Sequence, residues 1–113
     1  MIPNPPYFNA NHVYRIPVYT IKVIRSFRDK DTGKVFRSVF TRRFHAIRRT
    51  AQRKLFYVDR AKTLNDLRSP GNSLEALQRD RIGQHTIRIN DPYRVCFRWR
   101  DGDAYDVEIV DYH

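Results

Sequence analysis

The sequence predicts an α+β fold: a small antiparallel β-sheet with an N-terminal strand and helices packed on one face. Three observations carry this. Residues 84–89, 93–99 and 104–110 alternate polar and apolar side chains, the period of half-buried strands. The connections between them, Asn90-Asp91-Pro92 and Asp101-Gly102, are short enough for hairpins. Upstream, Ile47, Ala51, Leu55 and Val58 recur at spacings of four, four and three, which makes one apolar stripe on a helix.

In chain order, residues 1–20 differ in composition from the rest. They hold Pro3, Pro5, Pro6 and Pro17, and Arg15 is their only charged residue. They read as an extended or disordered arm outside the folding unit, whose Tyr7, Phe8 and Tyr14 rings could dock on its surface. Residues 21–113 read as one domain, long enough for a single modest core. Residues 21–27 form a first strand. Residues 29–33 are a turn in which Asp31 or Thr32 can cap a short helix over 34–42. Residues 44–61 form the main helix, with Arg48, Arg49, Arg53 and Lys54 mostly beside or opposite its apolar stripe. Residues 63–67 are a turn, 69–73 a loop, 74–77 a short strand and 80–83 a turn. The meander follows, with Ile87, Ile89, Val95, Phe97, Trp99, Val107 and Ile109 on one face. Thr86, Arg88, Arg94, Arg98, Asp106 and Glu108 lie on the other. In the last run Tyr105, Val107 and Ile109 alternate with Asp106 and Glu108.

Lys and Arg total 22 against 12 Asp and Glu, a formal charge of +10. Such an excess predicts a polyanionic partner: nucleic acid, ribosome or an acidic protein. The charge is uneven. Twelve basic residues and two acids lie between Ile21 and Lys54, whereas five acids and no Lys or Arg follow Arg100. Cys96 is the single cysteine, so an internal disulfide and a cysteine-based zinc site are excluded; its strand setting suggests a small apolar filler. His12, His45 and His85 lack a paired helical spacing, so no metal and no cofactor is called for. No run is apolar enough to span a membrane, and the first residues lack a signal-peptide pattern. A cytoplasmic setting is expected.

The polar sheet face carries the chemistry. One reading is a solvated face, with Asp106 and Glu108 balancing Arg88, Arg94 and Arg98 across the strands. The other is a phosphodiester site, because Arg79, Arg81, His85 and the terminal Asp111-Tyr112-His113 lie close by. RNA cleavage needs no metal when the 2′-hydroxyl is the nucleophile. A base removes its proton, cations hold the developing charge and an acid protonates the departing 5′-oxygen.

The segments LEALQRDRIGQHTIRINDPYRVCFRW at 74–99, GDAYDVEIVDYH at 102–113 and IRSFRDK at 24–30 resemble the HigB toxins. These plasmid-maintenance-system killer proteins belong to the RelE/ParE superfamily. The likeness covers residues 23–113. It implies a RelE-like domain, ribosome-dependent cleavage of mRNA, and neutralisation by a HigA-like helix-turn-helix antitoxin through which DNA is met only indirectly. It places a catalytic arginine at Arg94 and the functional triplet at Asp111, Tyr112 and His113. Relatives often carry His-Pro-Leu-Lys-Gly-Asp-Arg in the short strand and turn. Here Glu75 replaces the His, as a base or a structural residue, Gln78 replaces the Lys, and Arg79 replaces the Gly. Arg79, Arg81 and Arg88, with Arg48, Arg49, Arg53 and Lys54 of the helix, are the expected RNA-binding set. Two further functions fit the same basic chain: a ribosome-binding inhibitor that does not cut, and a weakened toxin that acts mainly as antitoxin partner in a DNA-bound repressor.

Overall fold

The structure, a computed structural model, describes residues 22–112. The arm, Ile21 and His113 therefore lie outside the described residues. Two α-helices, α1 (Lys30–Phe36) and α2 (Arg48–Arg60), precede four strands, β1 (Glu75–Ala76), β2 (Gln84–Arg88), β3 (Tyr93–Arg100) and β4 (Asp103–Asp111). The strands form one antiparallel sheet in the order β1-β2-β3-β4, and both helices cover one face. The α+β prediction and the meander hold.

The first strand is more broken than expected. Ile24 and Phe27 make only isolated parallel bridges to Ala104 and Val107. The cause lies in β4. Its register against β3 slips between Cys96 and Arg98, and Asp106 adopts φ 53°, the left-handed region that Asp tolerates better than most residues. The Asp106 N–H turns out to Ser26 Oγ at 2.9 Å. The extra residue also changes the face of what precedes it. Ala104 and Val107 are both fully buried, while Tyr105 pairs with Arg98 on the polar side. The simple alternation of Tyr105 with Val107 and Ile109 is thereby corrected.

The short helix is displaced too. It starts at Lys30, capped by Asp29, whose carboxylate accepts from Thr32 N. It stops at Phe36, and Ser38 at φ 62° turns the chain away, so the expected helix over 34–42 is corrected. Asp31 instead accepts from Thr41 Oγ at 2.8 Å. Thr32 is buried and its hydroxyl accepts from Ile109 N at 3.0 Å. This satisfies a β4 edge amide where the broken first strand offers none.

Helix α2 is entered through a 3₁₀ turn, His45–Ile47. It buries Ala51, Leu55 and Val58 against Ile87, Val95, Phe97, Val107 and Ile109. Truncating a fully buried residue such as Leu55 to Ala costs about 2–5 kcal/mol. At its last turn Asp59 is fully buried. Its carboxylate accepts from the backbone N–H of Lys22, Val23 and Ile24 at 2.8–3.0 Å and from Arg60. One side chain thus ties the start of the described chain to the core.

Lys54 is the exception on this helix. It is 6% exposed, and its ammonium donates to Asn72 Oδ1 at 2.7 Å. The expectation that it sits beside or opposite the apolar stripe is corrected: it reaches inward to hold the loop after Leu67. Burial, with Arg53 and Arg88 nearby, holds its pKa below the ordinary lysine value.

Candidate active site on the open sheet face

The face of the sheet opposite the helices is built by alternate residues of all four strands. Register places Glu75, Thr86, Cys96 and Glu108 in one row, each opposite the next across β1 to β4. A second row is Gln84, Arg98 and Tyr105, and a third is Arg88, Arg94 and Val110. Thr86, Cys96 and Gln84 are buried, although they lie away from the helices. Cys96 is therefore the floor of the polar face, not part of the apolar core.

Tyr112 covers that floor. Its hydroxyl lies 3.6 Å from Cys96 Sγ, and Cys96 Sγ lies 3.6 Å from Thr86 Oγ. The Arg94 guanidinium stands 5.9 Å from the Tyr112 ring. The residue is 45% exposed, yet its hydroxyl end is turned inward. Desolvation there and the bond to Cys96 push the phenol up to about 12, against a smaller opposing pull from Arg81 and Arg94. The phenol thus keeps its proton at neutral pH and can donate a hydrogen bond.

Arg81 leaves the 3₁₀ turn Arg79–Arg81 and crosses the face. Its Nη1 donates to Gln84 Oε1 at 3.0 Å and to Glu108 Oε2 at 2.9 Å. The bond to Glu108 raises the guanidinium pKa further above its ordinary value. The other charges on the face are balanced in part as a solvated face would have them. Asp106 meets Arg98 at 3.7 Å, and Arg88 pairs with Asp91 of its own hairpin. Arg94 turns Nη1 onto that hairpin's carbonyls, including Asp91 O at 2.8 Å.

Of the residues singled out from sequence, Arg81, Arg94 and Tyr112 are brought together, and Arg88 lies at the edge of the same face. Glu75 is exposed on this face, two strands from Cys96. Asp111 pairs with Tyr93, on the side where Tyr93 meets Phe44, so alternation separates it from Tyr112. Arg79 is exposed at φ 55°. Arg48, Arg49 and Arg53 are exposed on α2, with the sheet between them and the polar face. His113 lies outside the described residues.

Sequence reading did not couple Glu108 to Arg81, nor give Gln84 or Cys96 a place here. A same-face reading of β4 brings Glu108 beside Tyr112, but the partner on Arg81 depends on a contact 27 residues apart in sequence. Among the described residues no helix is long and apolar enough to cross a membrane.

Comparison with known proteins adds two findings. A family model described as the RelE-like toxin of the type II toxin-antitoxin system HigB matches residues 22–113. Toxin HigB-1 of Vibrio cholerae serotype O1 (strain ATCC 39315 / El Tor Inaba N16961) is 45% identical over 53 residues. That match spans 46% of this chain and 56% of the relative's length.

Proposed function

We propose, for a chain that belongs to the RelE-like HigB toxins of type II toxin-antitoxin systems, a ribosome-dependent mRNA endonuclease that blocks translation. The observation that carries this reading is the grouping of Arg81, Arg94 and a protonated Tyr112 on one open sheet face. Cations and a hydroxyl donor there suit a phosphodiester whose charge grows in the transition state.

The chemistry needs little from the protein. The 2′-oxygen attacks the adjacent phosphorus, the bond to the 5′-oxygen breaks, and a cyclic phosphate remains. The 2′-hydroxyl proton goes to a base and the departing oxygen receives one from an acid. Arg94 and Arg81 hold the non-bridging oxygens. Tyr112 donates to one of them or to the leaving oxygen. His113 follows Tyr112 directly in sequence and is proposed as a further acid or charge donor. Because the substrate supplies the nucleophile, no metal is required by this route.

The proposed partners are the ribosome with its mRNA and a HigA-like helix-turn-helix antitoxin, with DNA reached only through that antitoxin. One observation favours a second reading. Arg81, Arg88 and Arg98 each carry a protein carboxylate, and Arg94 is turned to carbonyls. A face so neutralised also suits a ribosome binder that does not cut, or a weakened toxin acting mainly as an antitoxin partner. Induced expression with and without the neighbouring short reading frame tests the reading. Growth arrest, loss of full-length mRNA and rescue by the neighbour are expected. Arrest with intact mRNA would favour the second reading.

A further inference from the structure

The Arg81–Glu108 pair is the least explained feature of the polar face. It is the only link between the 3₁₀ turn before β2 and the side chains of β4 among the described ion pairs. It is also sheltered, with Arg81 35% and Glu108 16% exposed at their side chains. Glu108 stands directly across from Cys96, and Cys96 touches the Tyr112 hydroxyl. Glu75 is two strands from Cys96 on the other side, roughly 10 Å at the usual strand spacing. Asp111 belongs to the opposite face. Glu108 is therefore the carboxylate best placed beside the Tyr112–Arg94 cluster.

A carboxylate and a phosphate present the same paired oxygens to a guanidinium. Resting on the ribonuclease reading above, we infer that Glu108 holds the phosphate position on Arg81 in the free protein. The scissile phosphate then takes Arg81 from it, and the freed carboxylate is the base. In that step the 2′-hydroxyl proton passes to Glu108, the O2′–P bond forms, the P–O5′ bond breaks, and the leaving oxygen takes the proton of Tyr112. Solvent then returns a proton to Tyr112 and removes the one on Glu108. Arg81 keeps its hydrogen bond to Gln84 during the exchange, so it stays aimed at the face.

The exchange makes a prediction that a merely structural ion pair does not. In the native protein, phosphate binding uncovers one carboxylate as it covers one guanidinium. In Glu108→Gln the phosphate meets an Arg81 whose charge is not cancelled. The variant keeps a neutral acceptor of the same shape, so the fold has no cavity to absorb.

The test uses full-length protein and ribosomes programmed with two mRNAs. One is unmodified, and the other is 2′-O-methylated at the codon to be cut and so cannot react. On the methylated mRNA, Glu108→Gln is expected to bind about threefold to tenfold more tightly at low salt. Its plot of log affinity against log salt steepens by about 0.7, the contribution of one more uncancelled cation at a phosphate of a single strand. On the unmodified mRNA at saturation, the same variant cuts about 100-fold slower, the scale of a lost general base. Arg81→Gln, which also covers the case of a poorly folding Glu108 variant, is expected to bind more weakly while retaining more of its saturated rate than Glu108→Gln does. Unchanged affinity and salt slope in Glu108→Gln, or native cleavage by it, overturns the inference. If native protein leaves unmodified mRNA whole, the ribonuclease reading fails by itself. A tighter, more salt-sensitive Glu108→Gln complex would then still support the exchange, and an unchanged one would overturn it.

Discussion

Tyr112 is half-exposed while its hydroxyl lies against the buried Cys96, and that placement decides what it can do. Its phenol holds its proton to about 12, so it acts as a donor throughout the physiological range. Tyr112→Phe and Arg94→Ala are expected to lower mRNA cleavage by about two orders of magnitude. Their melting temperatures should stay within a few degrees of native, because neither side chain belongs to the core. A growth-inhibition assay paired with thermal melts checks this, and full toxicity of either variant would remove that residue from the site. The sequence led to the expectation that both lie at this face, Arg94 from the alternation of the second run and Tyr112 from the Asp-Tyr-His end; their roles are proposals. Their neighbours were not foreseen. Cys96 read as an apolar filler although alternation with Arg94 and Arg98 puts it on the polar face; its contact with Tyr112, 16 residues on, is what the local pattern does not show. His85 gives a separate test. Among the described residues its buried Nδ1 has no hydrogen-bond partner, and burial with Arg68 holds its pKa below the ordinary 6.5. The folded state prefers the neutral ring, so the unfolded chain takes up the proton first as pH falls. Stability is therefore full above about pH 6.5 and declines as pH drops through the folded pKa. Denaturant midpoints between pH 7.5 and 5 should fall less in His85→Gln than in native protein. Parallel slopes would show that His85 is not the group responsible.

Among the elements, α2 and the meander were legible because long runs repeat their own period. The errors lie where a single residue breaks a pattern. A bulge at Asp106 moved Ala104 into the core and left the first strand as two isolated bridges. Asp29, not Asp31 or Thr32, caps α1, since several capping residues stood in a row and local sequence does not rank them. Asp59 was invisible as an anchor because its partners are backbone amides far away in the chain. Asp59→Ala leaves those amides without an acceptor in a buried place. We expect a loss of about 3 kcal/mol, or roughly 15 °C in melting temperature. A change under a few degrees would show that solvent or another group replaces the carboxylate. Among the described residues, Arg48, Arg49 and Arg53 have no such structural duty beyond a bond from Arg48 to His45 O. Reversing two of them is expected to weaken ribosome co-sedimentation and flatten its salt dependence without altering the fold. Unchanged sedimentation at low and moderate salt would mark them as a solvated helix face.

For the molecule as a whole, the sheet separates two arginine-bearing surfaces, of which the polar face also carries carboxylates. One is the polar face with Arg81, Arg94 and Tyr112; the other is the outer side of α2. In the proposed reading the helix side would grip ribosomal RNA and the polar face would meet mRNA, a division that a uniform charge count cannot show. The arm before residue 21 is proposed to lie outside the folding unit, as Asp59 anchors the chain from Lys22 onward. Removing residues 1–20 should leave the melting temperature nearly unchanged, and a large loss would move the domain boundary into the arm. The central claim is that this domain cuts mRNA only on the ribosome. Mapping the 5′ ends of a defined mRNA after incubation with purified protein tests it most directly, with translating ribosomes present and absent. New ends within the translated frame, seen only with ribosomes and lost in Arg94→Ala, are the predicted result. Identical end profiles with and without the protein on translating ribosomes would contradict it.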